Sequence, residues 1–233
     1  MKHRLCVILM ALVCLAGCAG EERKGALAEN GLTPVNVTSV TEEGKAAFRQ
    51  KTDEIEAEKR AEEERKKKNP RGNYLIAIDA GHQAQGNSEK EPIGPGAAEQ
   101  KAKVAGGTRG VSTGIPEYEL TLQVSLKLRD ALEEKGYQVL MIRETNDVNI
   151  SNAERAIVAN DAGANAFIRI HADGSESSSA AGMMTICQTP SNPYNGAIYQ
   201  QSRALADCIL NQAVAATGAA KRNVWETDTM SGI

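Results

Sequence analysis

The chain has 233 residues and a formal net charge of −3, which creates no field for polyanions, and only 3% of its residues are aromatic, which leaves few surfaces for stacking bases. Nucleic acid is thereby excluded as a partner. Roughly 150–160 residues read as globular, enough for one domain with a substantial core, and the abundance of Ala, Val, Ile and Leu suits a small α/β domain.

Residues 1–17 read as a signal peptide. Met1-Lys2-His3-Arg4 is basic and residues 5–15 are apolar, a run too short to span a membrane comfortably but suited to secretion. Leu15-Ala16-Gly17-Cys18 resembles the lipobox of bacterial lipoproteins. That resemblance implies cleavage before Cys18 and lipidation of its thiol. The protein would then be extracytoplasmic, held by a lipid anchor on the cell membrane and facing the cell wall. The plainer alternative is an ordinary signal in which Cys18 is incidental. Of five cysteines, Cys6 and Cys14 would leave with the signal; Cys187 and Cys208 read as free thiols rather than a pair.

Residues 18–40 are polar and without period, a flexible linker. Residues 41–69 are dominated by Glu, Lys, Arg and Ala and end in Arg65-Lys66-Lys67-Lys68. This is a charged helical stalk without a sustained heptad, a solvated single helix of roughly 40 Å at 1.5 Å per residue. Asn69-Pro70-Arg71-Gly72 breaks it.

The remaining segment, residues 72–233, alternates strand and helix. Strands are expected at 74–79, 137–142, 166–170 and 182–188. Residues 83–115 form a long irregular, glycine-containing insert, a length usually reserved for functional or mobile loops. A helix runs from Glu117 to about Lys135, with Leu120, Val124, Leu128, Ala131 and Leu132 on one face and Gly136 after its end. Ser151-Asn152-Ala153-Glu154 is a capping box opening a second helix, and a third spans 195–217. The alternation predicts an α/β domain of three layers, a twisted, mainly parallel sheet flanked by helices.

Beyond the signal the chain has two histidines, and each follows a strand: His82 ends Ile76-Ala77-Ile78-Asp79-Ala80-Gly81-His82, and His171 follows Ala166-Phe167-Ile168-Arg169-Ile170. Ligands in open α/β sheets gather beyond the carboxyl ends of strands. Glu117 opens a helix, where the dipole favours its charged form, and Glu119 competes with it as a ligand. Two imidazoles and one carboxylate make a three-ligand zinc set with one position free, the arrangement of hydrolytic zinc sites. Asp79 is placed to orient His82 through a hydrogen bond, or to stabilise the turn.

From Tyr74 onward the chain resembles the zinc-dependent N-acetylmuramoyl-L-alanine amidases of type 3. The resemblance rests on Ile78-Asp79-Ala80-Gly81-His82, Glu117 with Leu120 and Leu122, Ile142-Arg143-Glu144-Thr145-Asn146-Asp147, Arg155 with Ala159-Asn160, and Ile168-Arg169-Ile170-His171-Ala172-Asp173. Glu91-Pro92-Ile93-Gly94-Pro95-Gly96 resembles a clostridial-type subgroup. The resemblance implies Zn²⁺ as cofactor, His82, Glu117 rather than Glu119, and His171 as metal ligands, and peptidoglycan as substrate. The bond cut would be the amide between N-acetylmuramic acid and L-alanine. Arg143, Arg155 and Asn160 match family positions and read as structural.

In that family a further strand follows the segment matched by residues 223–233, and the general-base glutamate comes just after it. That glutamate is expected beyond Ile233, which suggests a C-terminally incomplete catalytic domain. The alternative is a catalytically impaired wall-binding or regulatory lipoprotein without the base. A zinc peptidase of another scaffold is disfavoured by the absence of His-Glu-x-x-His.

Overall fold

A computed structural model describes residues 9–14, 42–177 and 179–232. The chain divides into two compact units, one of residues 18–73 and one of residues 1–17 with 74–233. In the first, helix α1 (Glu42–Lys68) runs into a 3-10 turn at Pro70–Asn73. Glu, Lys, Arg and Ala are strong helix formers, and Arg60 pairs with Glu56 and Arg65 with Glu62 one turn apart. Phe48 and Ile55 are exposed within this unit. Residues 18–40, including Cys18, lie outside the described residues.

The second unit runs, in chain order, through β1 (Leu9–Cys14), β2 (Leu75–Ala80), β3 (Asn87–Pro92), β4 (Gln100–Val104), α2 (Glu117–Glu134), β5 (Gln138–Met141) and α3 (Asn152–Asp161). It continues through β6 (Ala166–Ala172), β7 (Met183–Cys187), a 3-10 turn at Gly196–Ile198, α4 (Tyr199–Thr217) and β8 (Lys221–Glu226). Among the described residues, no helix is long and apolar enough to cross a membrane.

Six strands form one sheet in the order β5-β2-β6-β1-β7-β8. Every pair is parallel except β1 with β6. The helices flank this sheet. Ala77, Ile142, Ala159, Ala164 and Phe167 form one buried cluster, with Leu75 and Leu140 packed on it, so α3 covers the face shown by alternate residues of β2 and β6. The capping box at the start of α3 is formed: Ser151 Oγ accepts from the Glu154 amide at 3.1 Å, and Glu154 accepts from the Ser151 amide at 2.7 Å.

Besides β8 (Lys221–Glu226), which the sequence does not mark as a strand, three features differ from the sequence expectation. The buried positions of α2 are Glu117, Thr121, Leu122 and Ser125, whereas Ala131 is exposed. Small hydroxyl residues let this helix approach the sheet edge closely, and Thr121 donates to the Gly81 carbonyl at 2.8 Å. Apolar periodicity cannot register a face built on such residues. The insert, expected to be irregular, carries the antiparallel hairpin β3–β4. Buried Glu91 fixes it by accepting from the Ala153 amide at 3.0 Å, at the dipole-positive start of α3.

The third difference lies at the N-terminus. Leu9–Cys14, inside the segment read as a signal, pairs antiparallel with β6 and parallel with β7 and joins those two strands. An apolar run of this length suits a strand buried on both faces as well as it suits a leader. Removing residues 1–17 should therefore separate β6 from β7. The melting midpoint of the shortened chain is expected to fall by roughly 10 °C or more, at about 2–4 °C per kcal/mol for a domain of this size. Unchanged melting by circular dichroism would show that the sheet does not need β1.

Candidate metal centre

The site begins with strand register. β2 and β6 are parallel neighbours with Ala80 opposite Ile170. His82, two residues past β2, and His171, inside β6 because that strand runs on to Ala172 and not only to Ile170 as the sequence suggests, therefore lie side by side at the same end of the sheet. Glu117 reaches the same point from the first turn of α2, whose start is tied down by a bond from the Glu117 amide to the Thr108 carbonyl at 2.8 Å. One donor atom from each of His82, Glu117 and His171 falls within 4.8 Å of the others.

His82 Nε2 lies 3.2 Å from Glu117 Oε1, His171 Nδ1 lies 3.1 Å from the same oxygen, and the two ring nitrogens are 3.1 Å apart. Zinc bonds of about 2.0–2.1 Å at tetrahedral angles place donor atoms about 3.3 Å from one another. The set fits a zinc-sized ion with three protein ligands. Glu119 is exposed on the other side of the helix turn and is not among them.

Two of the three donors are aimed by a second contact. His82 Nδ1 is 2.7 Å from the Ala105 carbonyl, so it carries the proton and leaves Nε2 free as a ligand. Glu117 Oε2 accepts from the Thr108 amide and Oε1 from the Ala172 amide, each at 2.9 Å. The insert thus supplies a wall of the centre through Ala105, Gly107 and Thr108. Glycine is required at two points of that wall. A Cβ on Gly107, whose φ is +75°, would sit 2.9 Å from the His82 ring, and one on Gly81 would sit 2.4 Å from the His171 ring. Neither the wall nor these close approaches is marked in the sequence by anything beyond an excess of glycine.

Asp79 does not touch His82. It is fully buried, with one oxygen accepting from Arg155 at 2.6 Å and the other from Arg169 at 2.7 Å. The expected Asp79–His82 bond is replaced because two guanidiniums compete for the carboxylate, and the Ala105 carbonyl takes the imidazole. Arg155 bonds the carbonyls of Ile150, Ala80 and His82. Arg143 bonds those of Ala80, Gly81, Tyr118 and Thr145. Asn160 is exposed, and its backbone carbonyl accepts from Gly163. Gln83, which the sequence did not single out, is fully buried and accepts from Arg155 at 2.8 Å. Cys187 is buried and unpaired, its thiol pushed up to about 11 by burial first and Glu226 second, and Cys208 is exposed and unpaired.

Electrostatics favour the ligand forms. Burial alone would raise the Glu117 carboxyl, but its contacts with His171 and His82, with the Thr108 amide behind them, hold it well below the usual carboxylate range. Burial lowers His171, and the positive charge of Arg169 adds to that, against the pull of Glu117. Burial would likewise raise Asp79, but Arg169 and Arg155 hold it low.

A family model described as N-acetylmuramoyl-L-alanine amidase matches residues 76–231. An N-acetylmuramoyl-L-alanine amidase of Mycobacterium tuberculosis is 29% identical over 163 residues, 68% of this chain; the chain spans 64% of that relative's length. Among solved structures, an N-acetylmuramyl-L-alanine amidase of Mycobacterium smegmatis is 26% identical with a TM-score of 0.60, over 70% of this chain and 76% of that one. The catalytic domain of an amidase from Bacillus (Paenibacillus) polymyxa shares the fold at 24% identity and a TM-score of 0.50, over 69% and 73% of the two chains.

The depressed groups fix a pH dependence for the metal-free chain. Burial holds His171 below its ordinary value in the fold, so below about pH 6.5 the unfolded chain binds its proton more readily, and stability falls as pH drops from there toward the folded value. Asp79 and Glu117 add a second loss that begins near the ordinary carboxylate value of about 4 and continues downward. Urea denaturation across the acid range should show both stages; a midpoint constant from pH 7 to 5 would contradict the first.

Proposed function

We propose that this chain, which belongs to the N-acetylmuramoyl-L-alanine amidase family, hydrolyses the amide between N-acetylmuramic acid and L-alanine in peptidoglycan, with zinc held by His82, Glu117 and His171. The observation that carries this reading is the convergence of three donor atoms of hydrolytic type within 4.8 Å at the sheet edge. When bound there, zinc would polarise a carbonyl and bring the pKa of a water toward neutrality.

The chain's own groups prepare that chemistry. Glu117 remains ionised, so the ligand set carries one negative charge. The Thr108 and Ala172 amides hold both of its oxygens and stop the carboxylate from rotating away. The Ala105 carbonyl keeps His82 in the tautomer that presents Nε2. Three protein ligands leave a fourth position for substrate or water.

We also propose export and lipid anchoring at Cys18. The order of basic, apolar and small residues before that cysteine supports it. Cleavage there would take Leu9–Cys14 out of the sheet.

Digestion of purified peptidoglycan with the zinc-loaded chain, followed by mass spectrometry, tests the reaction. Release of stem peptides with a free L-alanine amine is expected. His82→Ala and His171→Ala should each weaken zinc binding by at least about 100-fold, more than the loss usual for an outer contact, and abolish release, whereas Glu119→Ala should bind zinc as the parent does. Cleavage between stem amino acids, or wall binding without cleavage, would overturn the assignment. For the anchor, Cys18→Ser should move the protein from the membrane to the soluble fraction; unchanged partitioning in detergent phase separation would count against lipidation.

A further inference from the structure

His82 combines two properties that conflict. It is a proposed metal ligand, and it is the only described non-glycine residue with a positive φ, at 61°. That left-handed conformation crowds the Cβ against the backbone and persists in a fold only where the surroundings impose it. No sequence neighbour imposes it here.

Two buried guanidiniums surround the peptide units that carry it. The Ala80 carbonyl accepts from Arg143 Nε at 2.8 Å and from Arg155 Nη1 at 3.2 Å. The Gly81 carbonyl accepts from Arg143 Nη2 at 3.1 Å, and the His82 carbonyl from Arg155 Nη2 at 3.3 Å. Arg155 Nη2 also bonds Gln83 Oε1 at 2.8 Å, so its fork spans both sides of the left-handed residue. Arg143 Nη2 reaches the Tyr118 carbonyl at 2.8 Å, one residue from Glu117. The same fork therefore ties the His82 loop to the helix turn bearing the carboxylate ligand.

We propose that Arg143 and Arg155 are positioning residues that clamp the Ala80, Gly81 and His82 carbonyls, hold His82 in its left-handed conformation, and so bring its Nε2 to Glu117 and His171. The proposal rests on the ligand set given above. It depends on the planar fork rather than on charge alone, because a lysine ammonium cannot serve several carbonyls in fixed, coplanar directions. Arg169 provides a matched comparison. It is also buried and also bonds Asp79, but its other hydrogen bonds go to Asn152 and to the Ser231 carbonyl instead of the His82 loop.

The test uses the full chain with Arg143→Lys, Arg155→Lys and Arg169→Lys. Zinc affinity is read by chelator competition, ligand geometry by the visible absorption of the cobalt-substituted protein, and folding by thermal melting. Arg143→Lys and Arg155→Lys should lose about 10–100-fold in zinc affinity, the range for outer contacts that orient a ligand, and shift the cobalt bands. Arg169→Lys should keep the parent affinity and spectrum even where its melting midpoint drops as far. Parent-like affinity and spectrum in both clamp variants would overturn the proposal. So would an equal loss in Arg169→Lys, or loss of cooperative melting in both clamp variants, since the arginines would then serve the fold as a whole. A parent chain that binds neither zinc nor cobalt would instead remove the ligand set itself.

Discussion

The parallel register of β2 against β6 is the constraint on which the rest depends. With Ala80 opposite Ile170, His82 just past β2 and His171 near the end of β6 share one end of the sheet. A slip of one residue would send every side chain of a strand to the opposite face, taking His171 from the site and Phe167 from the core in the same step. Core and metal centre are thus specified by one set of backbone hydrogen bonds. The cluster of Ala77, Ala159 and Phe167 fixes the register from inside, and the donors at the edge inherit their spacing from it.

Beside this edge lies a concentration of buried charge. Arg143, Arg155 and Arg169 are all buried, with Asp79 as the shared carboxylate between the latter two. Desolvating such ions costs several kcal/mol each, so the cluster is a poor source of net stability. Burial and the nearby Arg155 bring even the Arg143 guanidinium down to about 10. What the cluster supplies is direction. A non-glycine residue held left-handed costs about 1–3 kcal/mol, and a hydrogen bond to a charged group contributes about 1.5–3 kcal/mol. Four such bonds reach the carbonyls of residues 80–82, on both sides of the left-handed residue, and fix the direction of its peptide units. An ion cluster of modest net stability can therefore impose a backbone geometry that no local preference would select.

Much of this was legible in the sequence, because it is written in short-range patterns. Apolar runs marked four strands, β2, β5, β6 and β7, Ser151 and Glu154 marked the start of α3, and the nearness of His82 and His171 to the carboxyl ends of β2 and β6 marked where the donors gather. The partner of Asp79 was not legible. A carboxylate near a histidine in sequence suggests a bond between them, but the competing arginines come from positions 76 and 90 residues away. The polar face of α2 was hidden for a related reason, since Thr121 and Ser125 are buried by helix–sheet proximity rather than by hydrophobicity. The insert looked irregular because Asn87–Pro92 and Gln100–Val104 are mostly charged or polar; their hairpin is held by pairing and by the Glu91 contact to α3, not by an apolar face.

Residues 9–14 show where composition alone stops discriminating. A strand between two others in a sheet covered by helices is screened from water on both faces and wants a continuous apolar run. A secretion signal wants the same run for a different reason, its passage through a membrane. Only partners distinguish the two roles. In the sheet, Leu9–Cys14 meets β6 antiparallel and β7 parallel. His171 lies in β6 and His82 two residues past β2, both on one side of it, while β7 and β8 on the other side carry no histidine. The metal donors and the register that sets them therefore lie on one side of this junction, with Glu117 held by β6 and the insert. Yet β1 pairs with β6 along the stretch that holds His171, with Met10 opposite it and Leu9 opposite Ala172, so the N-terminal strand and the site share one strand of the sheet.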